Sequence, residues 1–113
     1  MARKPETNFR NNVVVPALKL IPRSYFFCIQ QFAKVGDPDI LMVINGRFVA
    51  LELKSDEESV IRPIQIYKLE QVIKAGGVAF RVDRSNWNKV YTELLKLAQG
   101  GQLKWENKHD FAL

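Results

Sequence analysis

A chain of 113 residues has room for one hydrophobic core and no second. An apolar share of 47% allows a small core, and 17 basic against 12 acidic residues (net +5) suit a polyanionic partner, nucleic acid or an anionic membrane surface. The single cysteine, Cys28, excludes an intrachain disulfide and a cysteine-rich metal site; with no signal-peptide-like start and no membrane-length apolar run, a soluble cytoplasmic protein is expected.

In chain order, Phe9, Val13, Ala17 and Leu20 recur at helical spacing, so the reading predicts an amphipathic helix over residues 5–20, kinked or divided by Pro16. Residues 25–29 are aromatic and β-branched and predict a strand, with Cys28 in the core. Gly36-Asp37-Pro38 predicts a turn. Two apolar runs, 40–44 and 47–54, flank Asn45-Gly46, the strongest short-range signal for a hairpin. The apolar residues Phe48 to Leu51 predict a strand buried on both faces. After a polar loop (55–62), Pro63 opens a helix to about Ala75, with Ile66, Leu69, Val72 and Ile73 inward and Gly76-Gly77 as its stop. Residues 78–82 form another strand, able to pair parallel to a neighbour. Ser85 is placed to cap a last helix carrying Trp87, Val90, Tyr91, Leu94, Leu95 and Ala98 on one face. The expected order is α-β-β-β-α-β-α, an α/β domain over residues 1–100 with a mixed sheet flanked by helices, followed by a polar extension at 101–113.

The hairpin carries a geometric consequence. A two-residue turn at Asn45-Gly46 places Ile44 opposite Arg47 and, continuing outward, Asp39 opposite Glu52. Residues so paired share a face, with Cβ atoms roughly 4.5–5.5 Å apart, and strand alternation adds Lys54 to that face. Two adjacent carboxylates repel, and an oxygen-preferring cation such as Mg²⁺ or Mn²⁺ is the simplest compensation. A cation there, with the Lys54 ammonium beside it, suits hydrolysis of a phosphodiester.

Pro38-Asp39, twelve intervening residues and Glu52-Leu53-Lys54 resemble the signature of the PD-(D/E)XK nucleases. The run 36–41, Gln65 early in the next helix and Gly76-Gly77 before a strand are similar to the VRR-NUC branch, which includes small phage and bacterial proteins resembling Holliday junction resolvases. The resemblance implies a restriction-endonuclease-like fold and a Mg²⁺- or Mn²⁺-dependent DNA endonuclease acting on branched DNA. It also implies metal ligands at Asp39, Glu52, the Leu53 carbonyl and Glu6, a catalytic lysine at Lys54, and Gln65 near the site. Cutting two strands with one small site each implies a homodimer.

Plainer readings stand beside these. Asp37 reads as a turn residue, with a second metal site as the alternative; Glu6 also reads as a carboxylate favoured by a helix dipole. Gln65 also reads as a helix-start residue, Glu52 and Lys54 as a solvated strand face, and Asp56-Glu57-Glu58 as a solvated loop. Trp87 and Tyr91 read as core, and His109, alone in the extension, as a poor ligand. Lys4, Arg10, Lys19, Arg23 and Lys34 are candidate phosphate contacts. The competing functions are a non-catalytic DNA-binding or assembly module and a nicking or flap nuclease.

Overall fold

A computed structural model of the chain describes residues 5–29 and 36–101. The first helical run has three parts: α1 (Pro5–Phe9), a π-helical turn (Arg10–Val14) and α2 (Val15–Leu18). Pro16 has no N–H to donate, and a turn widened by one residue just before it keeps the run helical without a break. That extra residue also changes which side chains face inward. The expected stripe Phe9, Val13, Ala17, Leu20 is replaced by buried Phe9, Val14 and Leu18; Val13 and Ala17 are half-buried, and Leu20 is 76% exposed. A uniform period of 3.6 cannot anticipate a spacing of five followed by four.

Strands β1 (Ser24–Cys28), β2 (Ile40–Ile44), β3 (Arg47–Leu53) and β4 (Val78–Val82) form one sheet in the order β1-β2-β3-β4. The first three are antiparallel, and β4 runs parallel to β3 after the crossover through α3 (Pro63–Lys74). Asn45 (φ 50°) and Gly46 (φ 82°) both take positive φ, as a type I′ hairpin turn requires. The β2–β3 register runs from Ile44↔Arg47 to Ile40↔Leu51, the pairing expected from a two-residue turn. The helix α4 (Trp87–Ala98) completes the chain order α-β-β-β-α-β-α, a mixed α/β fold.

The two sheet faces differ. Met42, Leu51, Phe80 and their neighbours pack against the N-terminal helical run and α4 in the main core. There Phe9 meets Trp87 edge-on at 6.4 Å, Trp87 lies 5.5 Å from Tyr91, and the Tyr91 hydroxyl donates to the Ala17 carbonyl (3.1 Å), so both rings are core. On the opposite face the small Ala50 and Ala79 let α3 approach closely, with Leu69 and Ile61 buried between. Phe48 corrects the expectation of a strand buried throughout: it is 41% exposed, in a row with Tyr25 and Val43 on the sheet face opposite the main core.

One local expectation is also corrected. Ser85 does not cap α4; Asn86 holds the N-cap position without a side-chain cap bond, and Asp83 Oδ1 instead accepts from the N–H groups of Ser85 and Asn86. Asp37, read as a turn residue, also pairs with Lys68 at 2.8 Å. None of the described helices is long and apolar enough to cross a membrane. Residues 102–113 with His109, and Lys4 and Lys34, lie outside the described residues.

Candidate active site

Each side chain of the site is delivered by a neighbouring element. Asp39 lies one residue before β2, where its carbonyl accepts from Ile29 N–H (2.8 Å) and continues the β1–β2 pairing. Its carboxylate reaches across to β3, accepting from the Leu53 N–H at 2.7 Å. Glu52 is next to last in β3, on the face covered by the start of α3, and is 2% exposed. Lys54 follows the strand end, fixed by its N–H to the Val82 carbonyl (2.8 Å). The turn-set register thus brings Asp39, Glu52 and Lys54 to one end of the sheet, at the C-terminal edge of the parallel strands, where open α/β sheets bind ligands.

Gln65 ties Glu52 and Lys54 together. Its Nε2 donates to Glu52 Oε2 (2.9 Å), while its Oε1 accepts from Lys54 Nζ (3.2 Å) and from the Arg62 N–H (2.9 Å). The last bond is half of a capping box, so Gln65 serves the helix start while touching Glu52 and Lys54. Lys54 Nζ also stands 3.6 Å from Glu52 Oε2. Glu52 and Lys54 are therefore not a solvated strand face.

Electrostatics set the carboxyls apart from ordinary ones. Burial, then the adjacent Asp39 charge, pushes the Glu52 pKa up to about 9, against the pull of Lys54. Burial likewise raises Asp39, offset in part by the Leu53 N–H and by the charges of Lys54 and Arg10. With both groups ionised, the buried Glu52 Oε1 has no donor; Asp39 becomes its hydrogen-bond partner only when the pair holds a proton. Glu6, in the first turn of α1, adds to the repulsion on Glu52 and lines a cleft of about 20 Å³ with Thr7, Arg10, Asp39 and Leu53. That space fits one water-sized or ion-sized occupant.

A divalent cation fits these residues on chemistry: hard oxygen donors, an unpartnered buried oxygen, and excess negative charge bordering a small cleft. Among the described residues no three His, Cys, Asp or Glu side chains already form a closed metal-binding group. The α1 carboxylate and the strand-end pair would have to close together on the ion.

Sequence reasoning missed the polar network beside this cluster. Arg81 stands opposite Glu52 in the β3–β4 register, buried, and is paired through Nη1 with the buried Asp83. Its Nη2 donates to the carbonyls of Asp56 (2.9 Å) and Ser59 (2.6 Å), pinning the loop that leads from Lys54 to α3. Asp56 folds that loop on itself, accepting from Glu58 and Ser59 N–H at 3.0 Å, so it is structural as well as solvated. A cavity of about 410 Å³ opens here, lined by Glu57, Ile61, Arg81, Asp83, Asn86 and Lys89 among others. The signal was present: one arginine inside the apolar strand Val78–Val82, at the alternation position shared with Glu52. Arg23, a candidate phosphate contact, donates instead to the Ala98 carbonyl (2.9 Å), and Arg10 lies at the cleft.

Compared with models of known protein families the chain matches none, and no curated protein matches it.

Proposed function

We propose that this chain is a divalent-metal-dependent endodeoxyribonuclease whose active site is Asp39, Glu52 and Lys54, with Gln65 positioning the last two. The observation that carries the reading is the buried carboxylate pair held beside a lysine, with Asp39 lining an ion-sized cleft and Glu52 Oε1 lacking a donor. Isolated like charges in a small core lower stability, and a chain that only binds DNA has no use for them.

Asp39 and Glu52, with Glu6 and the Leu53 carbonyl, are the groups proposed to hold Mg²⁺ or Mn²⁺. Once bound, the cation supplies a Lewis acid that makes water nucleophilic near neutral pH and screens the phosphate charge. The chain's own groups perform the rest. Gln65 fixes the Glu52 carboxylate and aims the Lys54 ammonium with the two ends of one amide. Lys54 then offsets the charge that builds on the phosphoryl oxygens as water oxygen joins phosphorus. The P–O3′ bond breaks, the proton passes to O3′, and 5′-phosphate and 3′-hydroxyl ends result.

Branched DNA is the proposed substrate, cut by a homodimer because each copy has one site, in the cytoplasm of a bacterial or phage-infected cell. The test is cleavage of labelled four-way junction, flap, nicked and linear duplexes with Mg²⁺ or Mn²⁺, comparing the wild type with Glu52→Ala. Metal-dependent cutting lost in the variant supports the proposal. Binding without cutting under every condition replaces it with the non-catalytic module.

A further inference from the structure

Among the described residues, the side of the sheet that carries α3 is only half covered. Side chains on that face form rows across the strands: Tyr25, Val43 and Phe48 in one, Phe27, Leu41 and Ala50 in the next. The helix α3 packs on β3 and β4, over Ala50 and Ala79. Among the described residues nothing comparable covers β1 and β2. Tyr25 is consequently 72% exposed, and Phe27, Val43 and Phe48 are exposed beside it. These are aromatic and β-branched residues on adjoining positions of β1, β2 and β3, not scattered single apolar positions.

The helix bordering this open half has its own apolar ridge. Tyr67 is 57% exposed and Ile64 is exposed; Ile64 lies against Gly36, and Lys68 is tied to Asp37, both just ahead of β2. The ridge therefore faces the uncovered strands. One copy thus presents, side by side, an apolar helix and a helix-sized apolar vacancy. A two-fold axis between two copies sets each ridge into the other's vacancy, the self-complementary contact of an isologous dimer.

We infer that this face, Tyr25, Phe27, Val43 and Phe48 with Ile64 and Tyr67 of α3, is where a second copy of the chain docks. The six side chains expose on the order of 500 Å² per copy, taking roughly 150–250 Å² for a large side chain. A standard interface buries roughly 800 Å² per partner, a size reached once the polar rim and intervening backbone are included. Nucleic acid is the poorer occupant: the patch is apolar, and Lys68 at its border is already paired with Asp37.

Sedimentation equilibrium of the full chain, without metal or DNA, reads this surface independently of any nuclease activity. The expected result is a dimer with a dissociation constant in or below the micromolar range. Tyr25→Glu and Tyr67→Glu should each weaken it by about 30-fold or more, the scale of an interface hot spot. Leu20→Glu, at an exposed apolar residue outside the patch, should leave it unchanged, and circular dichroism establishes that each variant is folded. A wild type that is monomeric up to about 100 μM overturns the inference, whether another part of the chain or a lipid vesicle covers the face. A dimer sensitive to Leu20→Glu and indifferent to both patch variants overturns it equally.

Discussion

Glu52→Gln tests the physical core of the site without any assumption about substrate. The Glu52 pKa rises from an ordinary 4.5 to about 9 in the fold. A carboxyl raised on folding contributes stability fully present below its unfolded value, and that stability is lost as pH rises through the folded value. Between those limits the folded state keeps a proton that the unfolded chain has released, so stability falls by about 1.4 kcal/mol per pH unit. From pH 5 to pH 8 the loss is at most about 4 kcal/mol, or roughly 15 °C in Tm for a domain of this size. The raised Asp39 acts in the same direction. A glutamine keeps the acceptor for Gln65 Nε2 and adds a donor for Asp39, so the variant should be more stable than wild type at pH 8 and nearly equal at pH 5. The assay is thermal unfolding with a chelator at both pH values, read as the difference between the two proteins so that other titrations cancel. Adding Mg²⁺ or Mn²⁺ at pH 8 should raise the wild-type Tm and leave the variant unmoved. A wild type no less stable than the variant at pH 8 in chelator would refute the account of Glu52.

Three further outcomes follow from the geometry. Gln65→Leu removes the bonds to Glu52, Lys54 and Arg62 together; it should destabilise by about 1–3 kcal/mol in urea unfolding and lower kcat at least tenfold with little change in KM. Arg81→Met leaves Asp83 buried without its cation and frees the Asp56–Ser59 loop, a loss of about 3–5 kcal/mol that replacing Asp83 as well should largely restore; an additive double mutant would contradict the pairing. Gly46→Ala forces a side chain onto a residue at φ 82° and should lower stability by about 1 kcal/mol, seen as a shifted urea midpoint with an unchanged m-value.

What the sequence by itself determined is what short-range chemistry dictates. Asn45-Gly46 sets a two-residue turn, the turn sets the register, and the register puts Asp39 at the level of Glu52; every link lies within fourteen residues of chain. Pro63 and Gly76 bound α3 for equally local reasons, fixed φ at one end and positive φ at the other. Tertiary structure decided the rest. The π turn before Pro16 moves the buried stripe to Val14 and Leu18 because the helical run must fit a surface made by Phe80 and Trp87, far along the chain. The double duty of Gln65 depends on where α3 lands on β3. Arg81 stands beside Glu52 only because β4 lies parallel to β3, a pairing reached through a crossover. The exposure of Tyr25 and Phe27 depends on a helix covering two strands and not four. Alternation along a strand tells which residues share a face; only packing tells which faces meet water.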